Sequence, residues 1–194
     1  RADFIACHQF NFTEKVEMLN FIKKGGTYLL NSPFDKDEVW SKLPGSVQRD
    51  IIEKQLRLFV IDATTVARDT GMAGRINTIM QTCFFALSGV LPKEEAIAQI
   101  KQSIEKSYSK KGKAVVEKNF KAVDATLEHL YEVEIPKIAS STSEMLSVVS
   151  NDAPDFVKDV TDMMMSGHGD ELPVSMMSLD GTYPSGTTKW EKRN

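Results

Sequence analysis

Apolar residues in the first 90 positions alternate between short continuous runs and segments with helical spacing. Continuous apolar runs of this length, bounded by glycine, proline or polar residues, are typical of buried strands. They predict three strands, over residues 3–8, 26–32 and 56–62. Pro33 ends the second strand, because proline cannot donate to the hydrogen-bond ladder of a central strand.

The segments between and after these runs have the pattern of helices. Val16, Leu19 and Ile22 lie three residues apart, and the KKGG stretch at residues 23–26 has the cations and glycines that close a helix. Asn11 stands where a cap of this helix would lie. Further helices are predicted over residues 35–55 with a break at Pro44, over 63–69 and 75–91, from Pro92 onward, and after Gly112.

Strands that alternate with helices predict an α/β fold. We expect a partial Rossmann-like parallel sheet with flanking helices, followed by an extended connector. Three strands make a thin sheet, so we expect further strands upstream of Arg1. The chain enters its first apolar run without an initiator methionine and ends in a polar, turn-rich stretch. We therefore expect it to be an internal piece of a larger protein.

Regular periodicity is lost from about Glu134. The following residues are rich in Ser, Pro, Asn and Asp, and the methionines between positions 163 and 177 suit an adaptable buried contact. We therefore predict an α/β part over residues 1–133, a connector over 134–170 that lies along other parts of a larger assembly, and a lead-in to another domain over 171–194.

Composition narrows the classes of partner. The net charge of −3 gives no basic surplus, so we expect no nucleic acid partner. No apolar run approaches the roughly 18 residues that span a bilayer, so we expect no membrane partner. Cys7 and Cys83 lie far apart in apolar surroundings, which favours reduced core thiols of a cytoplasmic protein over a disulfide or a metal site.

Five stretches in order along the chain carry a family resemblance. They are ADFIACHQFNFTEK, KKGGTYLLNSPF, VARDTGMAGRINTIMQTCFFALSGVLP, YSKKGKAVVEKNFKAVD and GTYPSGTTKWEKR. Together they resemble the pyruvate:ferredoxin (flavodoxin) oxidoreductase family. The resemblance identifies residues 1–133 as the C-terminal part of a gamma-type 2-oxoacid oxidoreductase domain. The last stretch resembles the family's passage toward its iron-sulfur domain.

The resemblance implies an oxidoreductase chemistry for the full-length enzyme, which is expected to be a homodimer. Such enzymes decarboxylate pyruvate on thiamine diphosphate with magnesium, and pass electrons through 4Fe-4S clusters to ferredoxin or flavodoxin. The acetyl group goes to coenzyme A. This sequence has no run of closely spaced cysteines, no GDG…N pattern and no Walker loop. We therefore expect the segment to bind none of these cofactors, to supply no catalytic residue, and to be inactive alone.

Ligands of open parallel sheets bind beyond the carboxyl ends of the strands. Asn31 and Ser32 end the second predicted strand and are candidate contacts of coenzyme A; turn chemistry alone is the alternative. His8 ends the first predicted strand, and Asn11 follows it. A hydrogen-bonded strand end is the alternative to a ligand role for His8, and a helix cap is the alternative for Asn11.

Arg75 and Asn77 are the second candidate pair for coenzyme A. They follow two glycines and open a helix, where an arginine adds to the attraction of the helix N-terminus for phosphate or carboxylate. An ion pair between Arg75 and Asp69 is the equally open alternative.

Two hypotheses of different classes follow. In the first, the segment helps to close an active site and bind coenzyme A. In the second, it is a structural module that holds other domains together without contacting a ligand, which the methionines between positions 163 and 177 favour. An independent nucleotide-binding protein is a weaker third hypothesis, because no phosphate loop is present.

Overall fold

Four strands form one sheet in the computed structural model, which describes residues 1–72 and 74–191. They are β1 (Ala2–Cys7), β2 (Ile22–Asn31), β3 (Arg57–Ile61) and β4 (Tyr131–Glu132). The strands lie in the order β1-β2-β3-β4; the first three are parallel, and β4 pairs antiparallel with β3. The sequence did not predict β4, which is only two residues long and exposed.

Helices follow the strands along the chain. They are α1 (Val39–Lys42), α2 (Gly45–Glu53), α3 (Ala63–Asp69), α4 (Asn77–Leu87), α5 (Lys93–Tyr108), α6 (Lys113–Glu128) and α7 (Asp162–Ser166), with a π-helical turn over Val157–Thr161 directly before α7. Short 3-10 turns occupy Phe10–Glu14, Met18–Phe21, Ser109–Lys111, Gly169–Glu171, Val174–Met176 and Thr187–Lys189.

The sheet is buried on both faces, as parallel sheets are. Successive side chains of a strand point to opposite faces, so Tyr28 and Leu30 enter one core cluster while Leu29 enters the other. Helices α1 and α2 cover the first cluster; α3, α4 and α6 cover the second. Helix α5 packs outside this layer, through Ile100 and Ile104. The predicted α/β fold is confirmed.

The predicted helix through Val16 and Ile22 is wrong. Two 3-10 turns occupy this segment, and Ile22 begins β2, where it is paired with Ala2. The KKGG stretch is a bulged part of β2 rather than a helix end: the register shifts here, and Gly25 has a positive φ of 75°. Asn11 caps no helix; it lies within the 3-10 turn over Phe10–Glu14.

Most other predicted elements are present with small shifts. Helix α3 has its predicted bounds, whereas β1 begins and ends one residue early, so that His8 follows the strand. The break at Pro44 separates α1 from α2. Pro92 is the N-cap of α5 rather than its first residue.

The first half of the predicted connector packs on the α/β part itself. The backbone N–H groups of Ser140 and Ser141 both donate to Gln48 Oε1, at 2.8 and 2.9 Å. Leu146 N–H donates to the Glu14 carbonyl at 2.8 Å, and Met145 packs against the first core cluster. We expected this segment to lie along other parts of an assembly, but its backbone groups find acceptors here. The boundary at residue 134 stays a prediction.

Residues beyond 146 form a smaller cluster of their own. Val149, Ala153 and Val157 are buried against each other, with Met165 and Trp190 packed on them. The last three residues of the predicted 171–194 lead-in lie outside the described part of the chain, as does Ala73. Among helices of the described ranges, none has the length and apolar character that crossing a membrane requires.

Candidate functional site

The carboxyl ends of the first three strands meet through the side chain of Asn31. Its Nδ2 donates to the His8 carbonyl after β1, and its Oδ1 accepts from the Ala63 N–H that opens α3, both at 2.9 Å. The three chain segments that the sequence placed at this edge therefore lie together. The Asn31 amide joins them.

Ser32 is also engaged within the fold. Its side chain is buried, with Oγ accepting from Phe34 N–H at 2.9 Å and donating to the Phe34 carbonyl at 3.0 Å. Its N–H donates to the Ile61 carbonyl at 2.9 Å. These contacts support the turn-chemistry alternative for Asn31 and Ser32, whose role in binding coenzyme A stays a prediction.

Arg75 and Asn77 line a different feature, a cleft of about 310 Å³ at the start of α4. Its wall includes Thr78 from α4, Tyr108 from the end of α5, and Asn119 from α6. Neither Asn31 nor Ser32 is among the described residues that line it. The structure thus separates the four predicted residues into two places.

Arg75 is exposed, and it makes no ion pair within the described part of the chain. The carboxylate of Asp69, the alternative partner, accepts from Arg68 Nε at 3.0 Å. The Arg75 backbone N–H donates to the Met72 carbonyl at 3.1 Å, which fixes the turn that presents its side chain. The guanidinium therefore stays available to an anionic ligand.

The N-terminus of α4 adds to this positive potential. The helix has eleven residues, and its N-cap, Ile76, has no polar side chain that could accept a hydrogen bond. The first backbone N–H groups of a helix lack intrahelical acceptors and carry a partial positive charge. They open at the same cleft as Arg75, since Asn77 and Thr78 line it.

Tyr108 and Asn119 also line the cleft, although no sequence pattern predicted a ligand role for either residue. Asn119 is buried: its Nδ2 donates to the Val115 carbonyl at 2.8 Å, and its Oδ1 accepts from Thr78 Oγ1 at 3.4 Å. The sequence signal that could have predicted Asn119 is its polar side chain on the apolar stripe of α6. The Lys111 ammonium lies over the Tyr108 ring, 5.3 Å from its centroid.

The two cysteines lie in different core clusters and are both free thiols. Burial raises the pKa of the Cys83 thiol to about 12 and also raises the pKa of Cys7. Both side chains therefore remain protonated at neutral pH and are unsuited to nucleophilic attack.

Two family models match the chain. One, described as pyruvate ferredoxin/flavodoxin oxidoreductase, matches residues 1–129; the other, EKR, described as a domain of unknown function, matches residues 142–194.

Curated relatives match along the whole chain. It is 55% identical to a pyruvate-flavodoxin oxidoreductase of Rhodospirillum rubrum and 42% identical to a pyruvate:ferredoxin oxidoreductase of Moorella thermoacetica. All of this chain is covered in both comparisons, but only 16% of either relative.

A solved structure resembles the fold. It is the pyruvate oxidoreductase subunit PORC of Thermotoga maritima, with a TM-score of 0.54 and 20% identity, covering 69% of this chain and 66% of that one. At that identity the likeness concerns the fold alone.

Proposed function

Because the chain belongs to the pyruvate ferredoxin/flavodoxin oxidoreductase family, we propose that it serves in an enzyme that oxidatively decarboxylates pyruvate. Pyruvate and coenzyme A give acetyl-CoA, CO2, one proton and two electrons, and ferredoxin or flavodoxin accepts the electrons. The observation that carries this proposal is the match of the entire chain, at 55% identity, to a relative named for that reaction. We place the enzyme in the cytoplasm, as a homodimer.

Within that enzyme, the chain helps to close the active site and holds coenzyme A in the Arg75 cleft. Coenzyme A carries several phosphate charges. An exposed guanidinium without an ion pair in the described residues, next to the free N–H groups of α4, suits a phosphate. Asn77 and Tyr108 offer an amide and a half-buried ring beside it. The chain binds and orients this substrate, and it supplies no catalytic residue.

Thiamine diphosphate, magnesium and 4Fe-4S clusters would supply the decarboxylation and electron-transfer chemistry of the whole enzyme. The residues described here do not fit these groups. Cys7 and Cys83 lie in opposite core clusters, and no three His, Cys, Asp or Glu side chains of the described ranges are grouped to hold a metal ion. We assign these cofactors to other domains of the enzyme.

A purely structural role is the second candidate, and one observation favours it. The side chains of Val174 and Leu179 are 88% and 107% exposed, although both are apolar. They lie in or next to the stretch of residues 163–177, whose methionines suit a buried contact. Apolar side chains this exposed suit contact with other domains of the enzyme.

Hydrogen–deuterium exchange of the intact enzyme, with and without coenzyme A, separates the two roles. Coenzyme A binding at the cleft predicts slower backbone exchange in peptides from residues 74–80 and 108–119. Peptides from residues 174–179 serve as the internal control and are expected to stay unchanged. Unchanged exchange at the cleft peptides, with saturating coenzyme A, would contradict the binding role and leave the structural one.

A further inference from the structure

The side chain of His168 lies between two carboxylates. Its Nε2 is 2.7 Å from Glu17 Oε2, and its Nδ1 is 3.3 Å from Glu171 Oε1. Glu17 precedes His168 by 151 positions and lies between the two 3-10 turns after β1. Glu171 belongs to the 3-10 turn that follows His168. The imidazole therefore joins the segment after α7 to the α/β part of the chain.

The number of hydrogen bonds that this imidazole can donate depends on its protonation. A neutral imidazole has one N–H and donates to one carboxylate, whereas an imidazolium has two and donates to both. The hydrogen bond to Glu17 and, to a smaller extent, the one to Glu171 raise the pKa of His168 above its ordinary value of 6.5. Protonation thus strengthens both contacts at once.

The surrounding charges do not reverse this preference. Arg1, Lys54 and Asp170 line the same cavity of about 640 Å³. Lys54 is already engaged, because its Nζ donates to Asp50 Oδ1 at 2.8 Å and to the Leu19 carbonyl at 2.9 Å.

Glu17 is held in place from its own side of the cavity. Its Oε2 also accepts from Asn20 Nδ2 at 2.8 Å, within the 3-10 turn that leads into β2. The acceptor is therefore presented by the α/β part whether or not His168 is charged. The change in protonation acts on the segment that carries the histidine.

We propose that Glu17, His168 and Glu171 form a proton-controlled clasp that docks residues 162–172 onto the α/β part of the chain. The protonated imidazole closes the clasp, and the neutral imidazole loosens it. Because the folded-state pKa is raised, the stabilisation is complete below pH 6.5 and is lost as the pH rises through that higher folded-state pKa. The clasp makes docking of this segment sensitive to pH near neutrality.

Exchange mass spectrometry of this chain tests the clasp. Backbone amides of residues 162–172 should lose protection, beyond the intrinsic rate increase, as the pH rises above 6.5. Glu17→Gln should remove most of this pH dependence and lower the pKa of His168, read from deuterium exchange at its imidazole Cε1. Asp170→Asn is the matched control, because it removes a charge from the same cavity without removing a hydrogen bond to His168.

Two results would overturn the clasp. One is an unchanged pH dependence in Glu17→Gln; the other is an equal effect of Asp170→Asn, which would mean that the charge of the cavity, rather than the contact, controls docking. Glu171→Gln, which removes the longer contact, should act in the same direction with a smaller effect. If Glu17→Gln also reduces protection in β2 and β3, the substitution has disturbed the α/β part itself. The comparison of Glu171→Gln with the parent chain then decides whether the clasp controls docking.

Discussion

Two places in this molecule bring polar side chains to the ends of regular elements, and they differ in what those side chains contact. At the carboxyl edge of the sheet, Asn31 and Ser32 bond to the backbone of neighbouring segments. At the start of α4, Arg75 projects from a turn fixed by backbone bonds, and its guanidinium makes no ion pair among the described residues. A position at the end of an element therefore does not by itself make a residue a candidate ligand contact; its hydrogen-bonding group must also be left unused by the fold.

Asn31→Ala should give the largest loss of stability. It removes both hydrogen bonds that join the segments after β1 and β3. We expect the free energy of unfolding to fall by about 2 kcal/mol, since each lost hydrogen bond costs roughly 1 kcal/mol. Urea denaturation measures this change. Gln81→Ala, at an exposed position of α4, is the control; an equally small effect at both positions would mean that the sheet edge is not held by Asn31.

Asn119→Ala should have an intermediate effect. The substitution removes the 3.4 Å hydrogen bond between the Thr78 hydroxyl and Asn119 Oδ1, and with it a buried amide between α4 and α6. We expect a loss of about 1 kcal/mol, measured by the same denaturation. A loss as large as that at Asn31 would show that the cleft is as tightly bound into the fold as the sheet edge.

Arg75→Ala should have the smallest effect on stability, within about 0.5 kcal/mol, because exposed residues without partners contribute little to folding. Arg68→Ala is the matched control: Arg68 is an exposed arginine of α3 whose ion pair with Asp69 is also largely exposed. The thermal unfolding midpoints of both variants should lie close to that of the parent chain. A marked fall for Arg75→Ala alone would assign this residue a structural role.

The sequence predicted those parts of the fold that depend on local patterns. The α/β class was predictable from the apolar runs of β1, β2 and β3 and from the helical spacing of α3 to α6. Strands of a sheet that is buried on both faces have nearly continuous apolar sequences. It failed at residues 16–26. There, lysines and glycines have the composition of a helix end, but pairing of Ile22 with Ala2 draws them into a bulged strand.

The cleft was only partly predictable, because local sequence patterns do not show which distant segments pack together. Arg75 and Asn77 follow a glycine turn at a helix start, which is a local signal. Tyr108 and Asn119 come from two other helices, and their position at this cleft depends on how α5 and α6 pack on α4. The sequence also could not show that Arg68 takes the carboxylate of Asp69, which leaves Arg75 available.

Titration calorimetry of the intact enzyme with coenzyme A tests the central claim most directly. Arg75→Ala should weaken coenzyme A binding by about 10-fold or more, the size expected for losing a charge-assisted hydrogen bond. Arg57→Ala should leave the affinity within about twofold of the parent value, since its guanidinium is held by Glu132 outside the cleft. Equal coenzyme A affinity in the parent and in Arg75→Ala would contradict the account.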